Sequence, residues 1–411
     1  GQEKIAVKTV EERLARRALG MKGSEIRRLF KMSMKPGVIS FAGGLPDPQS
    51  FPSEEAAEIL PSLLRQNGKI LLQYGSARGD ARLIQVIQNR MRQKGMETDP
   101  EEVLITAGAQ QVMDLCSKIL VNPEDTVLLE SPSFIGALGA FRNYQARLVG
   151  VSMDESGIKL ESLVDVLKSL QEEEGLPKFL YTIPNFHNPT GALMSQGKRR
   201  RLLEIADEFD LLILEDDAYG DLWFAGDGQE VLPIKSLDKQ QRVIYAGSFS
   251  KIISPGIRLG WAAGPRELIE KFELARQVAD VCPSPLIQAL VVRLAEDGYL
   301  DHHIPQLREI YRLRRDAMLA ALAKYMPEGV SWTAPKGGFY IWVTLPEQLD
   351  ASELFPKAVE KNVAYVIGQP FYPDKSIKNT LRLSFSHEPE EVIEEGIRRL
   401  GEAVREALVK D

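Results

Sequence analysis

Seven short apolar runs between about residue 100 and residue 264 constrain the fold more than any other feature of the chain. They read "EVLITAG", "DTVLLES", "ARLVGVSM", "KFLYTIPN", "LLILEDD", "RVIYAGS" and "RLGWAAG", and each of the first four leads into a helical stretch such as "QQVMDLCSKILV". A strand with one wet face alternates apolar and polar residues. These runs are apolar at nearly every position, so both faces must be covered. Helical connections return the chain to the same edge, as parallel strands require. The expectation is α/β: a large, mostly parallel, seven-stranded sheet with helices on both faces.

What flanks this region reads differently. Residues 1–55 form an arm with one short helix, "GSEIRRLFKM", followed by a strand and Gly/Pro loop, "GVISFAGGLPDPQSFP". After about residue 305 come a long helix, "LREIYRLRRDAMLAALAKYM", the strands "FYIWVTL" and "TLRLSFS", and a last helix, "PEEVIEEGIRRLGEAVREALVK". The division expected is 1–55 as an arm with part of a small domain, 56–304 as the large domain, and 305–411 as a smaller α+β domain. The basic run "GKRRR" at 197–201 stands alone and reads as a solvated helix end.

A chain of 411 residues has room for two or three domains. Its 51 Lys and Arg against 58 Asp and Glu leave a net charge of −7, which argues against a nucleic-acid partner. The two cysteines, Cys116 and Cys282, form neither a disulfide framework nor a metal-binding pair, so no metal is expected and a reducing cytoplasm fits. No apolar run approaches the length of a membrane span, and the charged start "GQEKIAVKTVEERLARRALG" has no export-signal core.

In a doubly wound sheet, ligands sit beyond the carboxyl ends of the strands. The first run ends at Gly108-Ala109-Gln110, opening a helix whose free N–H groups suit an anion. The fourth leads to "FHNPTG", where Asn188-Pro189-Thr190-Gly191 is turn chemistry. The fifth ends at Asp216 and Asp217, with Tyr219 two residues on. The sixth opens "GSFSKIISPGIRLG", whose Ser248, Ser250 and Arg258 suit a phosphate and whose Lys251 could be a buried amine of lowered pKa. Each stretch alone has an ordinary reading, a turn or a surface charge.

Together, "NPTG", "DDAY", "SFSKIISPGIRLG" and "LRLSFS", in this order and over roughly residues 20–405, resemble the fold-type I pyridoxal-phosphate enzymes, and among them the class I/II aminotransferases. The "SFAGGLP" entry with Phe51-Pro52 is similar to the 2-aminoadipate/kynurenine aminotransferase subgroup. The resemblance implies pyridoxal 5'-phosphate as cofactor and a role for each matching position. Lys251 matches the Schiff-base lysine that also moves the Cα proton. Asp216 matches the aspartate facing the pyridine nitrogen, with Asp217 as the alternative. Tyr219 and Asn188 match the partners of the ring 3-oxygen, and Phe134 in "SPSF" the aromatic residue stacked on the ring. Ser248, Ser250, Arg258 and the helix opening at Gly108, Ala109 and Gln110 match the phosphate clamp. Tyr74 in "LQYGSARG" matches a tyrosine that serves the neighbouring subunit's cofactor, which implies a homodimer. Arg382 in "LRLSFS" matches the grip on the substrate α-carboxylate, with Gly44 beside it.

The function implied is transfer of the α-amino group of a 2-aminoadipate, kynurenine, aromatic or branched-chain amino acid to 2-oxoglutarate by a ping-pong mechanism. Two alternatives stand: another reaction on the same fold, such as a decarboxylase or lyase, or a non-catalytic effector-binding protein of regulator type. The second would need a DNA-binding module, and the first matching stretch begins by about residue 24. Because the site must accept glutamate as well as a second side chain, a mobile cation is expected near the substrate. The resemblance implies Arg27 as the candidate, since its helix is similar to the one that lines the substrate side in the aminoadipate aminotransferases; the other reading of Arg27 and Arg28 is plain solvated charge. His187, within "FHNPTG", reads as a loop residue, since Lys251 already supplies the base.

Overall fold

The computed structural model describes residues 5–409 except 24 and 174. The first four and last two residues of the expected domain ranges lie outside the described residues.

All seven expected strands lie in one sheet, in the spatial order Val103–Thr106, Gly260–Ala263, Val243–Ser248, Ile213–Asp216, Leu180–Thr182, Thr126–Ser131, Arg147–Asp154. An eighth, the two-residue strand Gly157–Ile158, folds back antiparallel on Arg147–Asp154. It was not expected, because two residues carry no period; the turn that makes it uses Gly157 at φ +100°. Only Gly260–Ala263 runs against its neighbours within the seven, pairing antiparallel with both Val103–Thr106 and Val243–Ser248. The strands from Arg147–Asp154 across to Val243–Ser248 are parallel.

The apolar runs are buried on both faces. Val127, Leu129, Tyr181, Leu214 and Ile244 pack with the helices Ala109–Leu120, Ile135–Asn143 and Arg266–Asp280. The intervening Leu128, Leu180, Ile213 and Val243 pack with the helices Leu160–Glu172 and Gln196–Phe209. The basic run departs from its expected solvated state at one position. Arg199 lies on the inner face of its helix, fully buried, and donates to Asn185 Oδ1 at 2.7 Å and to the carbonyls of Met194 and Leu232 at 2.9 Å. Three consecutive arginines on a helix point about 100° apart, so one of them is carried inward.

The smaller unit has an antiparallel sheet in the order Ser331–Trp332, Tyr340–Thr344, Thr380–Ser384, Val366–Ile367, covered by the packed helices Tyr299–Tyr325 and Glu390–Val409. The chain's N-terminal part enters it. Ile39–Ser40 pairs in parallel with Val363–Ala364, and Ser384 N donates to Phe41 O at 2.9 Å. Residue 305 falls inside the unbroken helix Tyr299–Tyr325, and one cluster of buried side chains, including Phe41, Val103, Phe339 and Ile397, runs through both units. Among the described residues, no helix is long and apolar enough to cross a membrane.

Candidate active site

The carboxyl ends of the parallel strands and the inner edge of the smaller unit enclose a cavity of about 520 Å³. Lys251, Asp216, Tyr219, Asn188, Phe134, Ser248, Ser250, Arg258, Ala109, Gln110, Gly44 and Arg382 all line it. Gly108 stands behind the wall, and two expected residues lie away from it. Tyr74 is 77% exposed on the outer surface. Arg27 is exposed on the helix Glu25–Ser33, and its neighbour Ile26 is the residue that reaches the cavity.

Lys251 follows the Val243–Ser248 strand, and its Nζ donates to Gly44 O at 3.2 Å. Enclosure lowers its pKa; Arg382 and Arg258 add to this, and Tyr340 and Asp216 oppose it. Asp216 closes the Ile213–Asp216 strand. Its Oδ2 accepts from Tyr181 Oη at 2.6 Å, while its Oδ1 is buried and has no partner among the described residues. Burial raises its pKa to about 7, against the lowering by the Tyr181 hydrogen bond. Asp217, the alternative, faces away from the cavity's wall. Both its oxygens are engaged, by Asn185 Nδ2 at 2.9 Å and Tyr245 Oη at 2.6 Å.

At one side of the cavity, Gly108 at φ +80° precedes the helix Ala109–Leu120, whose N-terminus no described side chain caps. A Cβ on Gly108 would stand 2.6 Å from Arg258 Nη2, so glycine lets that guanidinium lie over the helix end. Arg258 itself, at φ +50°, is steadied by Ala107 O at 3.0 Å. Ser248 and Ser250 are buried beside it, with Ser250 N donating to Ser248 Oγ at 3.0 Å. Uncapped N–H groups, two hydroxyls and a guanidinium form a site for a phosphate. At the other side, Arg382 donates to Asn188 Oδ1 at 2.9 Å and Ala42 O at 3.1 Å, leaving its buried Nε without a partner among the described residues.

An amine of lowered pKa, an unpartnered buried carboxylate oxygen and a phosphate cradle in one cavity fit pyridoxal phosphate, which has an aldehyde, a basic ring nitrogen and a phosphate. A family model of class I and II aminotransferases matches residues 37–400. The chain belongs to that family.

This aminotransferase is 42% identical over 412 residues to an aromatic-amino-acid aminotransferase of Thermococcus litoralis, covering 100% of this chain and 98% of the relative. Two solved structures are similar throughout. A kynurenine aminotransferase of Pyrococcus horikoshii, determined with PMP, superimposes with a TM-score of 0.93 at 41% identity, covering 97% of this chain and 98% of the other. An α-aminoadipate aminotransferase of Thermus thermophilus, complexed with N-(5'-phosphopyridoxyl)-L-leucine, does so with a TM-score of 0.90 at 40% identity, covering 98% and 100%. The fold is that of the fold-type I pyridoxal-phosphate enzymes, and the cofactor of this aminotransferase is pyridoxal phosphate.

Two tyrosines of the site were missed in the sequence. Tyr181 holds Asp216, and Tyr340 hydrogen-bonds Tyr219, Oη to Oη, at 2.8 Å. Both sit inside apolar strand runs, where a buried phenol needs a hydrogen-bond partner; that need was the available signal. His187 is buried off the cavity, with Nδ1 2.8 Å from Thr190 Oγ1 and Nε2 3.4 Å from Glu130 Oε1. It holds its loop together.

Proposed function

We propose that the chain moves the α-amino group of an amino acid with an aromatic, kynurenine-type, branched or 2-aminoadipate side chain to 2-oxoglutarate, both half-reactions using the one cavity. The observation that carries this is a pair of buried polar atoms without partners among the described residues, Asp216 Oδ1 and Arg382 Nε, in residues that line the cavity that also holds the Lys251 amine. When bound, pyridoxal phosphate supplies an electron-withdrawing ring that stabilises negative charge at Cα. Lys251 Nζ, less basic than a surface lysine, anchors the cofactor and serves as the base for the Cα proton. Asp216 Oδ1 would hold the proton on the ring nitrogen, with the carboxylate fixed by Tyr181 at its other oxygen. Tyr219 and Asn188 would hold the ring oxygen, Phe134 would cover the ring, and Ser248, Ser250, Arg258 and the N–H groups of Ala109 and Gln110 would hold the phosphate. Gly108 admits the guanidinium to that cradle.

Arg382 grips the α-carboxylate. Asn188 and Ala42 already fix its guanidinium plane, so substrate meets a preoriented fork. A carboxylate held there leaves Cα–H as the bond to break, which favours transamination over decarboxylation. Ile26, Ile135 and Phe371 give the substrate region an apolar wall suited to aromatic and branched side chains. For dicarboxylic substrates the proposed cation is Arg27, one residue along from Ile26.

The proposed assembly is a homodimer in which the partner subunit's Tyr74 completes the phosphate site. Ile70 and Leu72, within four residues of Tyr74, are exposed by 70% and 73%, and Val278 by 90% on the helix Arg266–Asp280, to which the Tyr74 loop is tied through Arg78 and Glu273 at 2.6 Å. An apolar surface of this kind suits a subunit interface. A cytoplasmic setting fits two free cysteines.

The test is a panel of amino donors with 2-oxoglutarate. Parallel initial-velocity lines and a yellow protein whose colour borohydride removes are expected. A colourless protein that cannot be reconstituted, or intersecting lines, would overturn the reading. Light scattering of an active monomer would overturn the assembly.

A further inference from the structure

Tyr340 joins the two halves of the site. It opens the Tyr340–Thr344 strand of the smaller unit, whereas Tyr219 follows the Ile213–Asp216 strand of the large sheet. Their hydroxyls are 2.8 Å apart and both residues are buried. The rings meet edge to face with centroids 5.6 Å apart, and the Arg382 guanidinium lies over the Tyr340 ring, 4.3 Å from its centroid. Gly44 is held to glycine at this point, because a Cβ there would run into the Tyr340 hydroxyl.

We propose that Tyr340 is a positioning residue for amino-group transfer, its hydroxyl directing the Tyr219 proton toward the cofactor's ring oxygen while its ring seats Arg382. This rests on the roles proposed above for Tyr219 and Arg382. A phenol has one proton to donate and two lone pairs. If Tyr219 spent its proton on Tyr340, it would have none for the ring oxygen. With an anionic oxygen beside Tyr219, the favoured order is Tyr340 donating to Tyr219 and Tyr219 donating onward, since aligned hydrogen bonds polarise one another. Burial, reinforced by Tyr340, keeps the Tyr219 hydroxyl far from ionising, so the proton stays available. The charged groups facing the pair are Lys251, Arg382 and Asp216. One side chain thus sets both the ring-oxygen contact and the carboxylate grip, and its two parts are separable: the hydroxyl serves the first, the ring the second.

Tyr340→Phe keeps the ring and removes the donor. The protein loaded with pyridoxal phosphate is titrated with pH through its visible absorption band, beside wild type, Tyr219→Phe and the double variant. The expected result is a band midpoint raised in Tyr340→Phe by roughly threefold to tenfold in proton affinity, the span of one neutral hydrogen bond. The double variant should move no further than Tyr219→Phe alone, because Tyr340 acts through Tyr219. The rate constant kcat should fall by a similar factor for every donor while KM holds, because Arg382 keeps its seat. Incorporating 3-fluorotyrosine at position 340, a more acidic phenol and a stronger donor, should move the midpoint the other way, which a purely structural role would not do. An unmoved midpoint in Tyr340→Phe beside a moved one in Tyr219→Phe overturns the proposal, as do shifts that add in the double variant. A midpoint unmoved in Tyr219→Phe overturns it together with the role of Tyr219 on which it rests.

Discussion

The floor of the cavity and its N-terminal rim are held in place by very different amounts of structure. Asp216 closes a strand whose four residues are all buried; Ile213, Leu214 and Glu215 are paired on both sides and Asp216 on one. Lys251 follows a strand of six buried residues, also paired on both sides. Ile26, on the rim, belongs to a nine-residue helix whose apolar residues Ile26, Leu29, Phe30 and Met32 are only half-buried, and which carries Arg27, Arg28 and Lys31 exposed. Moving a floor residue means disrupting a sheet packed on both faces, whereas moving the rim costs a few partial contacts. The cofactor's reacting groups need fixed positions; a site that takes side chains of different charge needs an adjustable one.

Four measurements can break or sharpen this contrast. Lys251→Ala removes the amine from the floor, and transamination should fall by roughly 10⁴-fold or more, while the phosphate cradle still retains cofactor on a desalting column. Substantial residual turnover would mean that another base serves. Arg382→Ala should lower kcat/KM for every amino donor by roughly 2–5 kcal/mol, since the loss strands Asn188 Oδ1 and Ala42 O as well as the substrate carboxylate. A loss confined to one donor class would show that Arg382 meets the substrate's side chain and not its α-carboxylate.

The third concerns the cofactor-free protein. The Asp216 pKa is raised to about 7, so the folded chain keeps a proton that the unfolded chain releases at about pH 4. Folded stability should therefore fall as pH rises between these values and level off above, by on the order of a few kcal/mol. Glu215, also raised to about 7 by burial, adds a slope of its own in this range. Asp216→Asn should flatten part of the pH dependence of the melting temperature and gain on wild type toward pH 8. A variant that tracks wild type across the range would show that Asp216 is already ionised without the cofactor. The smallest effect belongs to the rim. Arg27→Ala should cost glutamate and 2-aminoadipate roughly 1–3 kcal/mol in kcat/KM and leave leucine and aromatic donors nearly unchanged. Equal losses for both classes would give Arg27 a structural role.

The floor was the legible part of this protein. Continuous apolar runs signalled a sheet buried on both faces, and the stretches just past the strand ends were the place to look, but Asp216, Lys251 and Arg258 were singled out only by the family resemblance that those stretches carry together. The rim was less legible, because Ile26 packs against a cluster drawn from distant parts of the chain, which includes Ala42, Trp342 and Phe371, with no local period to signal it. Tyr181 and Tyr340 were hidden for a related reason: in an apolar run a tyrosine reads as bulk, and only the folded strands show what its hydroxyl meets. Arg199 was misread because a basic run reads as surface until the helix is set in the sheet.

The smaller unit is stitched from both ends of the chain, Ile39–Ser40 lying against Val363–Ala364 and Arg382 donating to Ala42 O. That arrangement has a consequence for the order of events during synthesis. Every floor residue, from Gly108 to Arg258, leaves the ribosome well before Arg382, and domains fold as their residues emerge. The N-terminal segment must wait without its strand partner until the last part of the chain arrives. The young polypeptide therefore carries every residue proposed for the cofactor cradle before it carries Arg382, and the arginine proposed to hold the amino acid reaches Ala42 only when these two distant segments meet.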